Sequence, residues 1–294
     1  MKRKLRMPIY GKEAIPAAGL ARPTLNSLGF AALLGLSFLC QASPSLAADF
    51  PLRDQYQSVG LEPIETSELA QSLDAVSVVD ARSTYEFETL HIEGARSIPL
   101  ASSGFEDEVR ALAESSGQPL VFYCNGVTCA VSYKAALKAT QAGIQRVRVY
   151  DAGVFAWAKA HPGHTVLLGE PLEDADRLIA DAAFKEHLLG EEAFYTRIET
   201  SKKPLIVDIR SNDQRKGVSL FQMQDRHVPL TKDNRELGGL VEAAVKQNRP
   251  LFFLDATGKQ VRWLQYYLEA QNVDTYWFLE GGARRVYESM GLNN

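Results

Sequence analysis

The chain has 294 residues, 46% of them apolar and 23% charged, an ordinary globular balance that can bury a sizeable core and is long enough for two domains. Its formal charge is −4 and it has no long basic tract, which argues against a nucleic-acid-binding protein. Three cysteines are present, at positions 40, 124 and 129.

The N-terminus differs from the rest. Lys2, Arg3, Lys4, Arg6, Lys12 and Arg22 precede the apolar stretch Leu28–Cys40, which is followed by Gln-Ala-Ser-Pro-Ser45-Leu-Ala47-Ala48. A basic region, a short apolar run and small residues before a cleavage site read as a secretory signal peptide over residues 1–47, with cleavage after Ala47 or Ala48. An uncleaved anchor is the competing reading, but the run is shorter than the 18 or so apolar residues a span needs. Ser37-Phe-Leu before Cys40 is a poor lipoprotein box. Loss of six basic side chains and Glu13 takes the formal charge from −4 to −9, so no stable membrane insertion and no nucleic-acid partner are expected after processing. The expected location is the periplasm, and Cys124 and Cys129 are the cysteines that remain there. Residues 48 to about 60 carry no clear signal.

Short runs rich in Val, Ile, Leu and Phe follow at Val76–Val79, Leu120–Tyr123 and Val147–Tyr150, then at Leu205–Val207, Leu251–Leu254 and Thr275–Phe278, alternating with helical stretches. Buried strands separated by helices imply an α/β fold, with parallel sheets covered on both faces. His161-Pro-Gly-His164 stops a helix, Gly169-Glu-Pro171 reads as a linker, and Leu172 to Leu189 as a charged, helical lead into the second half.

The most informative segment is Leu120-Val-Phe-Tyr-Cys124-Asn-Gly-Val-Thr-Cys129-Ala-Val-Ser-Tyr-Lys134. A thiol at a strand-to-helix turn sits where backbone N–H groups and the helix dipole favour an anion, so the pKa of Cys124 is expected to fall. In parallel sheets the reactive loops lie beyond the carboxyl ends of the strands, where this segment puts Cys124. Cys124 is then a nucleophile or, more blandly, a small buried apolar residue at a strand end.

A second copy of the pattern lies about 130 residues on. Ile206-Val-Asp208-Ile-Arg210-Ser echoes Val78-Val-Asp80-Ala-Arg82-Ser, and Arg226-His-Val-Pro229-Leu echoes Arg96-Ser-Ile-Pro99-Leu. Pro250-Leu-Phe-Phe-Leu-Asp255 echoes Pro119-Leu-Val-Phe-Tyr-Cys124, and Trp277-Phe-Leu-Glu280-Gly-Gly282 echoes Val149-Tyr-Asp151-Ala-Gly153. Asp255 stands where the cysteine would be; a solvated or capping role is favoured over that of a catalytic acid. Asn212-Asp-Gln-Arg-Lys-Gly-Val replaces the Glu-Phe and His-Ile-x-Gly-Ala block of the first half.

Together, the Asp80-x-Arg82 strand end, Glu86-Phe, His91-Ile-x-Gly-Ala leading to Ile98-Pro99, the Cys124 loop and the closing Gly153-x-x-x-Trp157 resemble the rhodanese family of sulfurtransferases over roughly residues 60 to 160. The resemblance implies two modules, each a parallel β-sheet flanked by helices on both faces: residues 60–165 with active-site Cys124, and residues 172–294 without the cysteine. A carboxylate cannot carry a persulfide, so the second module should be silent and act as a support, a lid or a partner surface.

Cys124 would take a sulfane sulfur from a small donor, thiosulfate-like or mercaptopyruvate-like, and pass it to a thiol or cyanide-like acceptor, with no cofactor. Asn125, Gly126, Val127, Thr128 and Cys129 would form the substrate and anion loop through their backbone N–H groups. Unlike the best-known thiosulfate enzymes this loop carries no basic residue, which leaves the donor open and points to a cation from elsewhere, Arg82 or the second half. Asp80, Arg82 and Glu86 are read as supports that fix the loop, with Arg82 ion-paired to a carboxylate such as Glu86. Gly153 and Trp157 read as a turn and a core aromatic. Cys129 has three readings: a resolving thiol, a disulfide partner, or an inert residue of the first helical turn.

Phosphatases of this fold need Cys-x5-Arg, and the sixth residue after Cys124 is Ala130. No His/Cys/Asp cluster has metal-ligand spacing and no Gly-rich phosphate loop occurs. Two other classes stay open: a thiol-disulfide redox protein using Cys124 and Cys129, and a non-catalytic protein whose second half docks a partner protein.

Overall fold

The computed structural model describes residues 49–215, 220–221, 224–231 and 234–292. The expected signal segment, residues 1–47, lies outside the described residues, as does part of the stretch after Asn212. In chain order the first half carries α1 (Arg53–Gln57), β1 (Glu62–Pro63), α2 (Thr66–Gln71), β2 (Ser77–Asp80), α3 (Thr84–Thr89), β3 (Leu90–Ile92), β4 (Arg96–Ser97), α4 (Phe105–Ser116), β5 (Leu120–Tyr123), α5 (Val131–Gln141), β6 (Val147–Tyr150) and α6 (Gly153–Ala160). Then come β7 (Thr165–Leu167), β8 (Glu170–Pro171), α7 (Asp181–Glu186), β9 (Leu188–Leu189), α8 (Glu191–Thr200), β10 (Leu205–Asp208), β11 (Arg226–His227), α9 (Arg235–Lys246), β12 (Leu251–Leu254), α10 (Val261–Ala270), β13 (Tyr276–Leu279) and α11 (Gly282–Ser289).

Two five-stranded parallel sheets result, ordered β1-β6-β5-β2-β4 and β9-β13-β12-β10-β11. Their central strands are apolar because both faces are covered. Along β2, β5 and β6, Val78, Val121, Tyr123 and Tyr150 face one core with Leu69, Val154 and Trp157, whereas Val79, Leu120, Phe122 and Val149 face another with Phe105, Val109, Tyr133 and Ala136. The second sheet alternates in the same way, Val207 and Phe253 to one side, Ile206 and Phe252 to the other.

The repetition reaches single hydrogen bonds. Ile98 N–H donates to the Asp80 carbonyl at 3.0 Å and Val228 N–H to that of Asp208 at 2.9 Å; Val154 N–H donates to the Cys124 carbonyl at 2.9 Å and Ala283 N–H to that of Asp255 at 2.8 Å.

Three segments differ from the sequence reading. The silent stretch before residue 60 holds α1. The segment read as a linker is half of a hairpin: β7 and β8 are antiparallel, joined by Leu168 and Gly169 at φ 51° and 84°, and β7 pairs in turn with β3. Positive φ at both turn residues matches the right-handed strand twist, which is why so short a hairpin closes here. Leu172 to Leu189 is only partly helical and ends in β9, because Leu188 and Leu189 pair with Phe278 and Leu279 respectively at the sheet edge.

Gly153 opens α6 at φ 77°, and a Cβ there would lie 2.3 Å from Gly126 N and 2.5 Å from the Asn125 carbonyl carbon. The last strand connection of the first half is thus pressed onto the cysteine loop. Gly153→Ala is expected to lower the unfolding free energy by about 2 kcal/mol or more, read as a lower urea midpoint at unchanged slope. The chemically identical change at exposed Gly163, which has open space around it, should be nearly neutral.

Candidate active site

Cys124 follows the fully buried strand β5 and is itself 1% exposed. Beyond it the chain turns through Asn125–Ala130, with Cys129 N–H donating to the Gly126 carbonyl at 2.8 Å, and enters α5. Cys124 Sγ lies 3.1 Å from the Cys129 carbonyl oxygen and 3.2 Å from Ser132 Oγ. Neither cysteine is in a disulfide.

This arrangement overturns the expected fall in the Cys124 pKa. Burial pushes the Cys124 thiol up, and the bond to Cys129 adds to it, with Ser132 pulling the other way. The favoured thiolate is that of half-buried Cys129, lowered to about 6 by the hydrogen bond from Cys124, against its own burial, with help from backbone N–H groups of Asn125 and Val131. Val127 and Thr128 complete the turn between the two thiols.

The support of the loop is a buried ion pair. Asp80 is fully buried at the end of β2 and Arg82 is 4% exposed. Arg82 donates through its backbone N–H to Asp80 Oδ1 at 3.0 Å, through Nε to both carboxylate oxygens at 2.9 and 3.2 Å, and through one terminal nitrogen to Oδ2 at 2.5 Å and to the Leu90 carbonyl at 2.6 Å. Its other terminal nitrogen donates to Asn125 Oδ1 at 3.1 Å. Asn125 Nδ2 then donates to Glu86 Oε1 at 3.0 Å. Glu86 Oε2 accepts from the Ser83 backbone N–H at 3.0 Å and hydroxyl at 2.7 Å, closing a capping box on α3.

The partner of Arg82 is therefore Asp80, not Glu86, because the carboxylate two residues away shares its buried strand end while Glu86 is spent on the helix cap. All three side-chain nitrogens of Arg82 are engaged, by Asp80, the Leu90 carbonyl and Asn125. His91 is structural: Nδ1 sits 2.6 Å from the Phe87 carbonyl, the ring stacks on Phe87 at 3.9 Å, and burial lowers its pKa. Trp157 is a fully buried core aromatic whose Nε1 donates to the His164 carbonyl at 2.9 Å.

The corresponding loop of the second half holds its own anion. Asp255 is fully buried, with Oδ1 accepting from Thr257 N–H at 3.1 Å and Gly258 N–H at 2.5 Å, and Oδ2 from Gln260 N–H at 2.6 Å and Val261 N–H at 3.3 Å. Burial raises its pKa while the four N–H groups oppose that rise. The capping expectation is met and the solvated one is not. Asp208 and Arg210 repeat the ion pair at 2.7 Å.

Two residues near the site carried no sequence signal. Ser132, fully buried in the first turn of α5, is one; a buried hydroxyl at helix spacing from a thiol could have marked it. Trp263, on α10 of the second half, lies with its ring 4.9 Å from the Arg82 guanidinium carbon, a contact only tertiary structure can make.

Alkylation by iodoacetamide, mapped by peptide mass across pH 4–10, should show Cys129 reacting with a midpoint near its value of about 6 and Cys124 lagging throughout. In Cys129→Ser the remaining thiol should titrate well above the ordinary cysteine range.

Residues 65–160 match the family described as rhodanese-like domain. No curated protein sequence matches the chain significantly. Among solved structures, thiosulfate sulfurtransferase from Pseudomonas aeruginosa shares 17% identity over 79% of this chain and 43% of its own, with a TM-score of 0.39. The chain thus spans less than half of that enzyme's length. A Bacillus halodurans protein shares 25% identity over 42% of this chain and 88% of its own, TM-score 0.34. The rhodanese-like domain of an Anabaena protein shares 24% over 36% and 80%, TM-score 0.30. Cys124, its loop and the Asp80–Arg82 pair all fall inside residues 65–160, the segment that matches the rhodanese-like domain.

Proposed function

We propose that this protein is an exported sulfurtransferase built of two rhodanese-like modules, in which Cys124 carries a sulfane sulfur and the second module is catalytically silent. The observation that carries the reading is the position of Cys124 within the matched domain, at the strand-to-helix turn, its thiol against the Cys129 carbonyl and the Ser132 hydroxyl. The paired strand orders of the two sheets support the tandem arrangement. Asp255 supports the silence of the second half, since it replaces the thiol and already fills the N–H groups of its own loop. Export rests on the N-terminal sequence pattern.

The opposite pKa directions of the two thiols support a specific division of labour between them. Cys129 as thiolate is the base that takes the Cys124 proton. With thiosulfate as donor, Cys124 Sγ bonds to the outer sulfur, the S–S bond of the donor breaks, sulfite leaves with the bonding pair, and Cys129 ends as the thiol. Cys124 is left as a persulfide anion, which a thiol or cyanide attacks at the terminal sulfur to regenerate the Cys124 thiolate.

A dithiol redox role is the second reading, favoured by two free thiols five residues apart with Cys124 Sγ 3.1 Å from the Cys129 backbone carbonyl. Oxidation would join Cys124 to Cys129 and remove both from sulfur transfer.

Intact mass of the mature protein after reduction and incubation with thiosulfate or mercaptopyruvate tests the proposal. A gain of one sulfur that requires Cys124 is expected, with none in Cys124→Ser. Cys129→Ser should still gain it, about a hundredfold more slowly at neutral pH and with its pH dependence moved upward, as loss of a general base predicts. Undiminished transfer in Cys124→Ser would sink the assignment. A protein lighter by two hydrogens on isolation, and inert to both donors, would favour the redox reading.

A further inference from the structure

Helix α10 buries two faces. Val261, Leu264 and Leu268 pack on the sheet of the second half, while Trp263 and Tyr266 enter the core of the first half beside Tyr85, Val154 and Trp157. Trp263 is 2% exposed and stacks on Phe155 of α6, ring centres 5.0 Å apart and 20° between planes. Its other contact is Arg82, whose guanidinium carbon lies 4.9 Å from the Trp263 ring centre and 5.6 Å from that of Tyr123. Tyr266 anchors the same face by accepting the Ile179 N–H at 3.1 Å.

The hydrogen bonds of Arg82 leave one part of it held less tightly than the rest. Nε and one terminal nitrogen are fixed by Asp80 and the Leu90 carbonyl, so the remaining freedom is at the terminal nitrogen that donates to Asn125. A flat aromatic face against the guanidinium opposes rotation of that end and keeps water from competing for it. At its start, α10 is held by Asp255, which accepts the N–H groups of Gln260 and Val261, three and two residues before Trp263.

We propose that Trp263 is a positioning residue for the Cys124 loop and that Asp255 serves it by fixing the start of α10. The connection runs from Asp255 through α10 to Trp263, then through Arg82 and Asn125 to the turn that carries both thiols. The second half thereby sets the reactivity of the first without touching substrate. This deepens the proposed function, but it concerns the thiols themselves and is tested without any sulfur donor.

The test is the pH profile of iodoacetamide alkylation of Cys124 and Cys129 in the full mature chain, for wild type, Trp263→Phe, Trp263→Leu and Asp255→Asn, each first shown to be folded by circular dichroism. Trp263→Leu should change the Cys129 rate at pH 6–7 by roughly threefold to tenfold and displace its midpoint, in line with loss of a buried cation–π contact, while Trp263→Phe, which keeps a π face, stays within about twofold of wild type. Asp255→Asn should move the profile in the same direction as Trp263→Leu. If Trp263→Leu does not fold, Trp263→Met takes its place. A folded Leu or Met variant whose profile superimposes on wild type overturns the proposal, as does equal perturbation by Phe and Leu, which would mark a volume effect alone. Failure of wild type to accept sulfur would overturn the sulfurtransferase reading and leave this comparison intact.

Discussion

The Asp80–Arg82 ion pair is the constraint around which the first half is organised. Both side chains are removed from water, a situation that is costly unless nearly every donor and acceptor is satisfied. Here the cost is offset by hydrogen bonds that reach in three directions: to β2 itself, to the Leu90 carbonyl at the start of β3, and to Asn125 in the cysteine loop. One guanidinium therefore joins a strand end, the strand that follows α3, and the turn that carries the chemistry. The same pair recurs as Asp208–Arg210, but there the free arm of the arginine goes to the Tyr287 hydroxyl at 2.9 Å instead of to the loop. The loop of the second half is left to be held by Asp255.

This difference accounts for how two copies of one architecture diverge. In the first copy the loop is tied from outside by an amide, and its interior is free to hold the thiols of Cys124 and Cys129. In the second, a carboxylate fixed by four N–H groups makes the loop a helix cap with no mobile proton and no nucleophile. Arg215 adds a second cation to Asp208 at 3.0 Å, further committing that end to structure.

Much of this was legible in the sequence, and for identifiable reasons. The central strands were readable because strands buried on both faces need unbroken apolar runs, and the repeat because Asp-x-Arg and its hydrogen-bonding context recur at near-constant offset. Cys124 stood out because a cysteine between a strand and a helix is chemically conspicuous. The edge strands β1, β4, β9 and β11 were not visible, since two residues carry no periodicity and are held by pairing alone. The β7–β8 hairpin was hidden by a leucine at positive φ, an unusual occupant of such a turn. The partition of the proton between Cys124 and Cys129 depends on burial and on which way one carbonyl points, and the Arg82 partner on which of two carboxylates is spent on a helix cap. No local pattern encodes either. Trp263 lies 181 positions from Arg82 in the chain and reads from sequence as an ordinary core aromatic.

The shared core has a consequence for the order in which the molecule is made. Trp263 and Tyr266 complete an apolar cluster whose other members mostly lie between Ile64 and Leu178. A chain emerging from its N-terminal end has all five strands of the first sheet long before α10 exists. During that interval Phe155 and the flat face of the Arg82 guanidinium lack the Trp263 ring that covers them. The first half must wait, incompletely closed, for more than a hundred residues, and that interval is when a nascent chain is most exposed to misassociation and has most need of a chaperone.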